Sequence, residues 1–234
     1  HYISQKDFES YKLKILRRMN HEPIAHIIGQ KDFWKNTFFV SKDTLIPRPD
    51  SEVLIESVLK YLPQDKNLNF LDLGTGSGCL IISILEEFKN SQGTGIDVSK
   101  NAISIANKNK KNINNDLNLS FIIKDFFNYD TKVFDIIICN PTYVPNTELN
   151  EITEEVINFE PHLALFPKKD TKDCYEKIIS NIKLTNNKNC YVFFEIDYRD
   201  HVLVSNILKD NDFSVLAAEN DLTNRPRCIV AKMN

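Results

Sequence analysis

The sequence predicts a doubly wound α/β fold, a mostly parallel seven-stranded sheet with a small helix and β-hairpin appendage at its N-terminal side. Three observations carry this expectation. From residue 69 onward strand-like and helix-like stretches alternate, which implies βαβ units with right-handed crossovers. Early strands such as FDIIIC and YVFFEI are unbroken apolar runs, the pattern of strands covered on both faces. Three of the six glycines, Gly74, Gly76 and Gly78, fall between the first of these strands and the helix after it. That is where such sheets bring backbone close to a ligand.

The elements follow in order. Residues 1–19 read as a helical fragment, with Phe8, Tyr11, Leu13, Ile15, Leu16 and Met19 set among charges. Residues 24–46 are β-rich and predict a hairpin turning at Gln30–Asp32 or at Lys35-Asn36. Pro49 then opens an acidic first turn, and Val53, Leu54, Ile55, Val58, Leu59 and Leu62 keep helical spacing until Pro63 ends the helix. Strands are expected at 69–73, 93–97, 119–124, 134–139, 190–196, 213–218 and 227–233, and helices at 78–89, 99–112, 171–184 and 198–210. The last two strands lack an intervening helix and are expected to close the sheet as an antiparallel pair. The Asn/Lys-rich stretch 107–118 reads as a helix end and exposed loop. The division expected is residues 1–50 as appendage and linker, and 51–234 as the main domain.

Composition excludes several function classes. A net charge of -3 gives no general pull toward nucleic acid or anionic lipid. No run of about 18 apolar residues is present to span a bilayer. The five cysteines are scattered without a C-x-x-C pair, which predicts reduced thiols and no zinc site. The expected setting is cytoplasmic, or organellar if a targeting segment precedes. The chain opens on His1 rather than Met, so its native start is expected upstream.

Candidate site residues lie where strands end. The turn Gly74-Thr75-Gly76-Ser77-Gly78 has G-x-G-x-G spacing; the dinucleotide fingerprint would need glycine where Cys79 stands. Asp97 ends the next strand, 19 residues after Gly78, where a carboxylate can accept from ribose hydroxyls. The alternative for Asp97 is a helix N-cap, for which Ser99 is the better candidate. Asp125 and Phe126 end the third strand, suited to an exocyclic amine and a purine face. The fourth strand runs into Asn140, Pro141, Thr142 and Tyr143.

These residues resemble a known class. L-D-L-G-T-G-S-G, the acidic second-strand end and Asn-Pro-x-Tyr are similar to class I S-adenosylmethionine-dependent methyltransferases. Within that class LIPRPDSE and NPTY resemble the HemK-like protein-(glutamine-N5) methyltransferases, which act on peptide chain release factors. EPIAHIIGQKDFW, FEPHLALF and DLTNRPRCIVAK fall in the family's order, so the resemblance spans about residues 17–234. Thr142 stands where the family has a second proline, His26 where it has tyrosine, and PKKDTKD replaces its glycine-rich segment. The longer N-terminal helical domain of the family is represented by residues 1–19 alone.

The resemblance implies S-adenosylmethionine as cofactor and the glutamine of a Gly-Gly-Gln motif in a release factor as target; the charge and the lack of an apolar span add the expectation of no direct nucleic-acid or membrane contact, and a monomer is expected. Asn140 and Pro141 would then accept from the two N–H groups of the target amide, Asn140 would also border the cofactor, and Tyr143 would pack on the flat amide. Arg48 would contact the substrate backbone, its alternative being a structural salt bridge. Thr142 frees Pro141 from the extended geometry a following proline imposes. Two other readings use the same planar-NH2 geometry: an adenine-N6 methyltransferase on DNA or RNA, and a catalytically weakened binding module.

Overall fold

A computed structural model describes residues 3–141, 153–161, 170–184 and 189–234. The N-terminal side carries α1 (Gln5–Met19), a five-residue α2 (Ile24–Ile28), and the hairpin strands β1 (Gln30–Phe33) and β2 (Asn36–Phe39). Ser4 caps α1 by accepting from the Asp7 N–H, yet no α1 residue is buried. The hairpin turns at Trp34-Lys35, one residue before the second of the two expected positions, because Asn36 already pairs with Phe33 in the ladder. The β-rich reading of 24–28 does not hold, because those residues form the short helix α2. Gly29, left-handed at φ +79°, ends α2 and lets the chain reverse into β1.

The main body is a seven-stranded sheet of order β5-β4-β3-β6-β7-β9-β8. Its strands are β3 (Asn69–Leu73), β4 (Gln92–Asp97), β5 (Leu119–Ile123), β6 (Ile136–Cys139), β7 (Tyr191–Glu195), β8 (Phe213–Asn220) and β9 (Pro226–Met233). The first five run parallel, and β9 lies antiparallel between β7 and β8. The central strands are rich in β-branched and aromatic residues that suit a pleated surface covered on both sides. Ile136, Ile137 and Ile138 of β6 are each at most 1% exposed.

One face is covered by α3 (Glu52–Tyr61), α4 (Cys79–Glu87) and the hairpin, whose Phe33 and Phe38 pack into the layer of Val58, Phe70, Ile81 and Phe88. α5 (Lys100–Ile113), capped by the Ser99 hydroxyl on the Ala102 N–H, completes that side. The other face is covered by α7 (Thr171–Leu184) and α8 (His201–Asp210) around Tyr175, Ile179 and Leu208. A further helix absent from the sequence reading, α6 (Glu154–Phe159), follows β6 in the chain. All five cysteines are free thiols, and no cluster of metal-ligating side chains occurs among the described residues. Nor is any described helix long and apolar enough to cross a membrane.

Candidate active site

The chain winds from β3 to β4 to β5 in one direction and then crosses back to place β6 on the opposite side of β3. That reversal leaves a crevice beyond the carboxyl ends of β3 and β6. Register fixes what faces it. Leu73 pairs with Ile96 on one side and Cys139 on the other, so Gly74, Asp97 and Asn140 begin three adjacent strand exits. Asp97 pairs in turn with Ile123, which brings Asp125 and Phe126 to the next exit.

The glycines do different work. Gly74 and Gly76 hold φ at +75° and +53°, and a Cβ on either would meet nothing nearer than 3.7 Å. Their requirement is backbone conformation, and the space a side chain would fill stays open for a ligand. Gly78 also has positive φ, but a Cβ there would press to 3.0 Å from the Phe121 ring. It is a packing position as well as a turn. Gly74 and Thr75 N–H groups both donate to the Ile96 carbonyl, pinning the turn to β4. Ser77 is buried, and its carbonyl accepts from the Asn109 amide at 2.8 Å.

Asp97 holds the turn from the other side. One carboxylate oxygen accepts from the Gly76 N–H at 3.0 Å, the other from the Ser99 N–H at 2.8 Å. Burial raises its pKa, opposed by the backbone N–H groups of Ser99, Gly76 and Val98. Each oxygen retains a second lone pair for a hydroxyl donor. Asp125 accepts from the Phe127 N–H at 3.0 Å and remains exposed, while the Phe126 ring lies over Gly74 and rests on the core. An open glycine cradle, a half-buried carboxylate and an aromatic face on consecutive strand exits fit a nucleoside carrying a short flexible tail.

Asp72, absent from the sequence reading, lies beneath the turn at 1% exposure and accepts from the Thr75 hydroxyl at 2.6 Å. Burial lifts its pKa from 3.8 to about 7, against the Thr75 hydrogen bond and with help from the Asp97 charge. The folded chain therefore keeps this proton over a range where the unfolded chain has lost it. The resulting stabilisation is full below about pH 4 and is lost as pH rises to about 7. Asp72→Asn is expected to flatten this dependence by on the order of 4 kcal/mol. Urea unfolding at stepped pH measures it, and equal slopes for both proteins would rule it out.

Asn140 leaves β6 half-buried, and its side-chain Nδ2 donates to the Ser51 hydroxyl at 3.4 Å; Pro141 after it is buried. Ser51 ends a 3-10 turn, Pro49–Ser51, in the segment that leads into α3. Arg48, expected at the substrate, is instead ion-paired with the buried carboxylate of Glu160. That is the structural salt bridge of the alternative reading, and a backbone contact would have to use its remaining N–H groups. Thr142 and Tyr143 lie outside the described residues.

A family model described as a methyltransferase domain matches residues 64–192. A release factor glutamine methyltransferase of Flavobacterium psychrophilum is 34% identical, over 92% of this chain and 77% of the relative. The chain belongs to the release factor glutamine methyltransferase family. A bifunctional methyltransferase of Rickettsia bellii is 36% identical over 97% of this chain but only 46% of its own length. The chain thus spans about half the length of several of the curated relatives it matches. Among solved structures, magnesium protoporphyrin IX methyltransferase from Synechocystis PCC 6803 with bound SAH aligns at TM-score 0.55 and 17% identity, covering 98% of this chain and 97% of that one. At that identity the likeness is one of fold, and it agrees with the class I methyltransferase sheet. In this family member the glycine turn, Asp97 and Asn140 occupy the switch point, and the Asn140–Ser51 contact ties that point to the segment before α3.

Proposed function

We propose that this chain transfers a methyl group from S-adenosylmethionine to the side-chain amide nitrogen of the glutamine in the Gly-Gly-Gln motif of a peptide chain release factor, acting as a monomer. The observation that carries the reading is the Asn140 amide at the switch point, with Nδ2 turned to Ser51 so that Oδ1 is left to accept. Relatives named as release factor glutamine methyltransferases support the choice of target.

When bound, the cofactor supplies an electrophilic methyl on a sulfonium sulfur, so the transfer asks for orientation more than for acid–base power. Asp97 accepts from the ribose hydroxyls, Gly74 to Gly78 give the backbone room, and Asp125 and Phe126 receive the adenine edge and face. Asn140 Oδ1 and the Pro141 carbonyl accept from the two N–H groups of the target amide. Its lone pair is delocalised into the carbonyl, and this grip directs the lone-pair face at the methyl. Tyr143, outside the described residues, is the side chain that the resemblance assigns to the amide plane. The target nitrogen would receive the methyl from the bound cofactor, and the proton it gives up would pass to solvent. Fixing two groups in such a geometry lowers a barrier by several kcal/mol.

Methylation of a release factor, of the same factor with its motif glutamine changed to alanine, and of adenine-containing DNA tests the reading. Label is expected on the first alone, at the glutamine by mass spectrometry. Label on adenine alone would overturn it. Calorimetry is expected to show S-adenosylhomocysteine binding and no NAD binding. Asp97→Ala is expected to weaken the former by about 1–3 kcal/mol, from loss of charge-assisted hydrogen bonds. An unchanged dissociation constant would take the ribose away from Asp97.

A further inference from the structure

We propose that Ser51 is a positioning residue that fixes which end of the Asn140 amide meets the substrate, and that Glu160 holds Ser51 in place. The inference rests on the reading of Asn140 as an acceptor. An asparagine side chain has two ends of nearly equal shape, and only the oxygen can accept from a target NH2. If the amide turned over, Nδ2 would face the substrate's N–H groups, donor against donor. Ser51 is 4% exposed, and its hydroxyl receives the Nδ2 hydrogen at 3.4 Å, which gives that end a partner away from the substrate.

Ser51 is held by its own segment. Pro47 and Pro49 flank Arg48 and restrict its backbone. The Ser51 N–H closes the 3-10 turn on the Arg48 carbonyl at 3.1 Å. The segment is in turn anchored by Glu160, directly after α6. Its side chain is 1% exposed, yet both oxygens are engaged, one by the Ile46 N–H at 3.2 Å and the other by the Arg48 guanidinium. A buried carboxylate is tolerated only with such partners, and removing one leaves an uncompensated charge. Glu160 lies 114 positions from Ile46, so it fastens the chain beyond the Asn-Pro exit back to the segment that orients Asn140. Arg48 then serves the site through Glu160.

Three variants, Ser51→Ala, Ser51→Thr and Glu160→Gln, test this in single turnover on a release factor at saturating cofactor. Ser51→Ala is expected to be about tenfold slower from misorientation, with unchanged affinity for S-adenosylhomocysteine and unchanged melting temperature. Ser51→Thr, which keeps the hydroxyl, is expected to recover most of the rate. Glu160→Gln keeps the shape but not the charge that holds Arg48, and is expected to slow the reaction similarly. Side-chain 15N–1H resonances of Asn140 give a readout independent of turnover: they are expected to shift in Ser51→Ala and return toward the parent position in Ser51→Thr. Unshifted Asn140 resonances in Ser51→Ala, or a rate equal to the parent's, would overturn the inference. A resonance shift in a protein whose parent methylates adenine and not glutamine would uphold Ser51 while sinking the proposed substrate.

Discussion

Asn140→Ala is expected to slow methyl transfer to a release-factor glutamine by roughly 100- to 1,000-fold at saturating cofactor, the scale on which loss of one preorganised polar group at a reacting centre is felt. The amide of Asn140 is placed by register: β6 pairs with β3 from Phe70↔Ile136 to Leu73↔Cys139, so a neighbouring backbone on each side sets where the strand ends. Neither neighbour of Asn140 replaces its oxygen. Cys139 is fully buried, and Pro141 offers only its carbonyl, which is already assigned to the second N–H. Saturating cofactor removes any share of the loss that comes from an Asn140 contact with the cofactor itself. Asn140→Asp keeps an acceptor but loses the Nδ2 donor that reaches Ser51, and an intermediate rate is expected. Full activity in Asn140→Ala would end the account of this exit as an amide-orienting clamp.

Gly95→Ala is expected to lower stability by about 1–3 kcal/mol, the usual cost of inserting a methyl into a filled core. For a chain of this size that corresponds to a fall in Tm of about 2–12 °C. The glycine lies inside β4, and a Cβ there would sit 2.7 Å from two carbons of the Phe121 ring and 2.7 Å from the Thr75 hydroxyl oxygen. Phe121 is paired with Gly95, so its Cα cannot retreat, and its ring is already packed against Gly78. Thr75 cannot yield without disturbing its 2.6 Å hydrogen bond to the buried Asp72 carboxyl. The strain therefore reaches the glycine turn, and weaker S-adenosylhomocysteine binding is expected alongside the lower Tm. Differential scanning calorimetry with and without that ligand reads both, and a variant that melts with its parent would show that this contact relaxes freely.

What the sequence made legible were the strand exits. Gly74, Asp97 and Asn140 could be picked out because a parallel sheet presents its carboxyl ends together, and apolar runs show where those ends fall. What stayed hidden were the groups that brace them. Asp72 and Ser51 were in plain view within LDLG and LIPRPDSE, but nothing local tells a buried carboxyl or hydroxyl from an exposed one. Glu160 acts across 112 positions to reach Arg48, a pairing that spacing cannot reveal. Asn109 was masked by its surroundings: it falls in the expected helix 99–112, but within an Asn/Lys-rich stretch that reads as exposed, and it is fully buried. Helices α2 and α6, of five and six residues, are too short to show a helical period.

Asn109 carries one more consequence. Its side chain imitates a peptide unit: the oxygen accepts from the Phe39 N–H at 2.7 Å, and the nitrogen donates to the Phe39 and Ser77 carbonyls at 3.0 and 2.8 Å. It thus acts as a rung linking the outer hairpin strand to the loop that would cradle a nucleoside. A cut at residue 50, where composition suggests a border, would break both hydrogen bonds between this buried amide and Phe39 and take Phe33 and Phe38 out of the apolar layer they fill. The hairpin is therefore better regarded as the outer wall of the sheet domain, and a minimal fragment that preserves the braced glycine turn must begin upstream of Gln30.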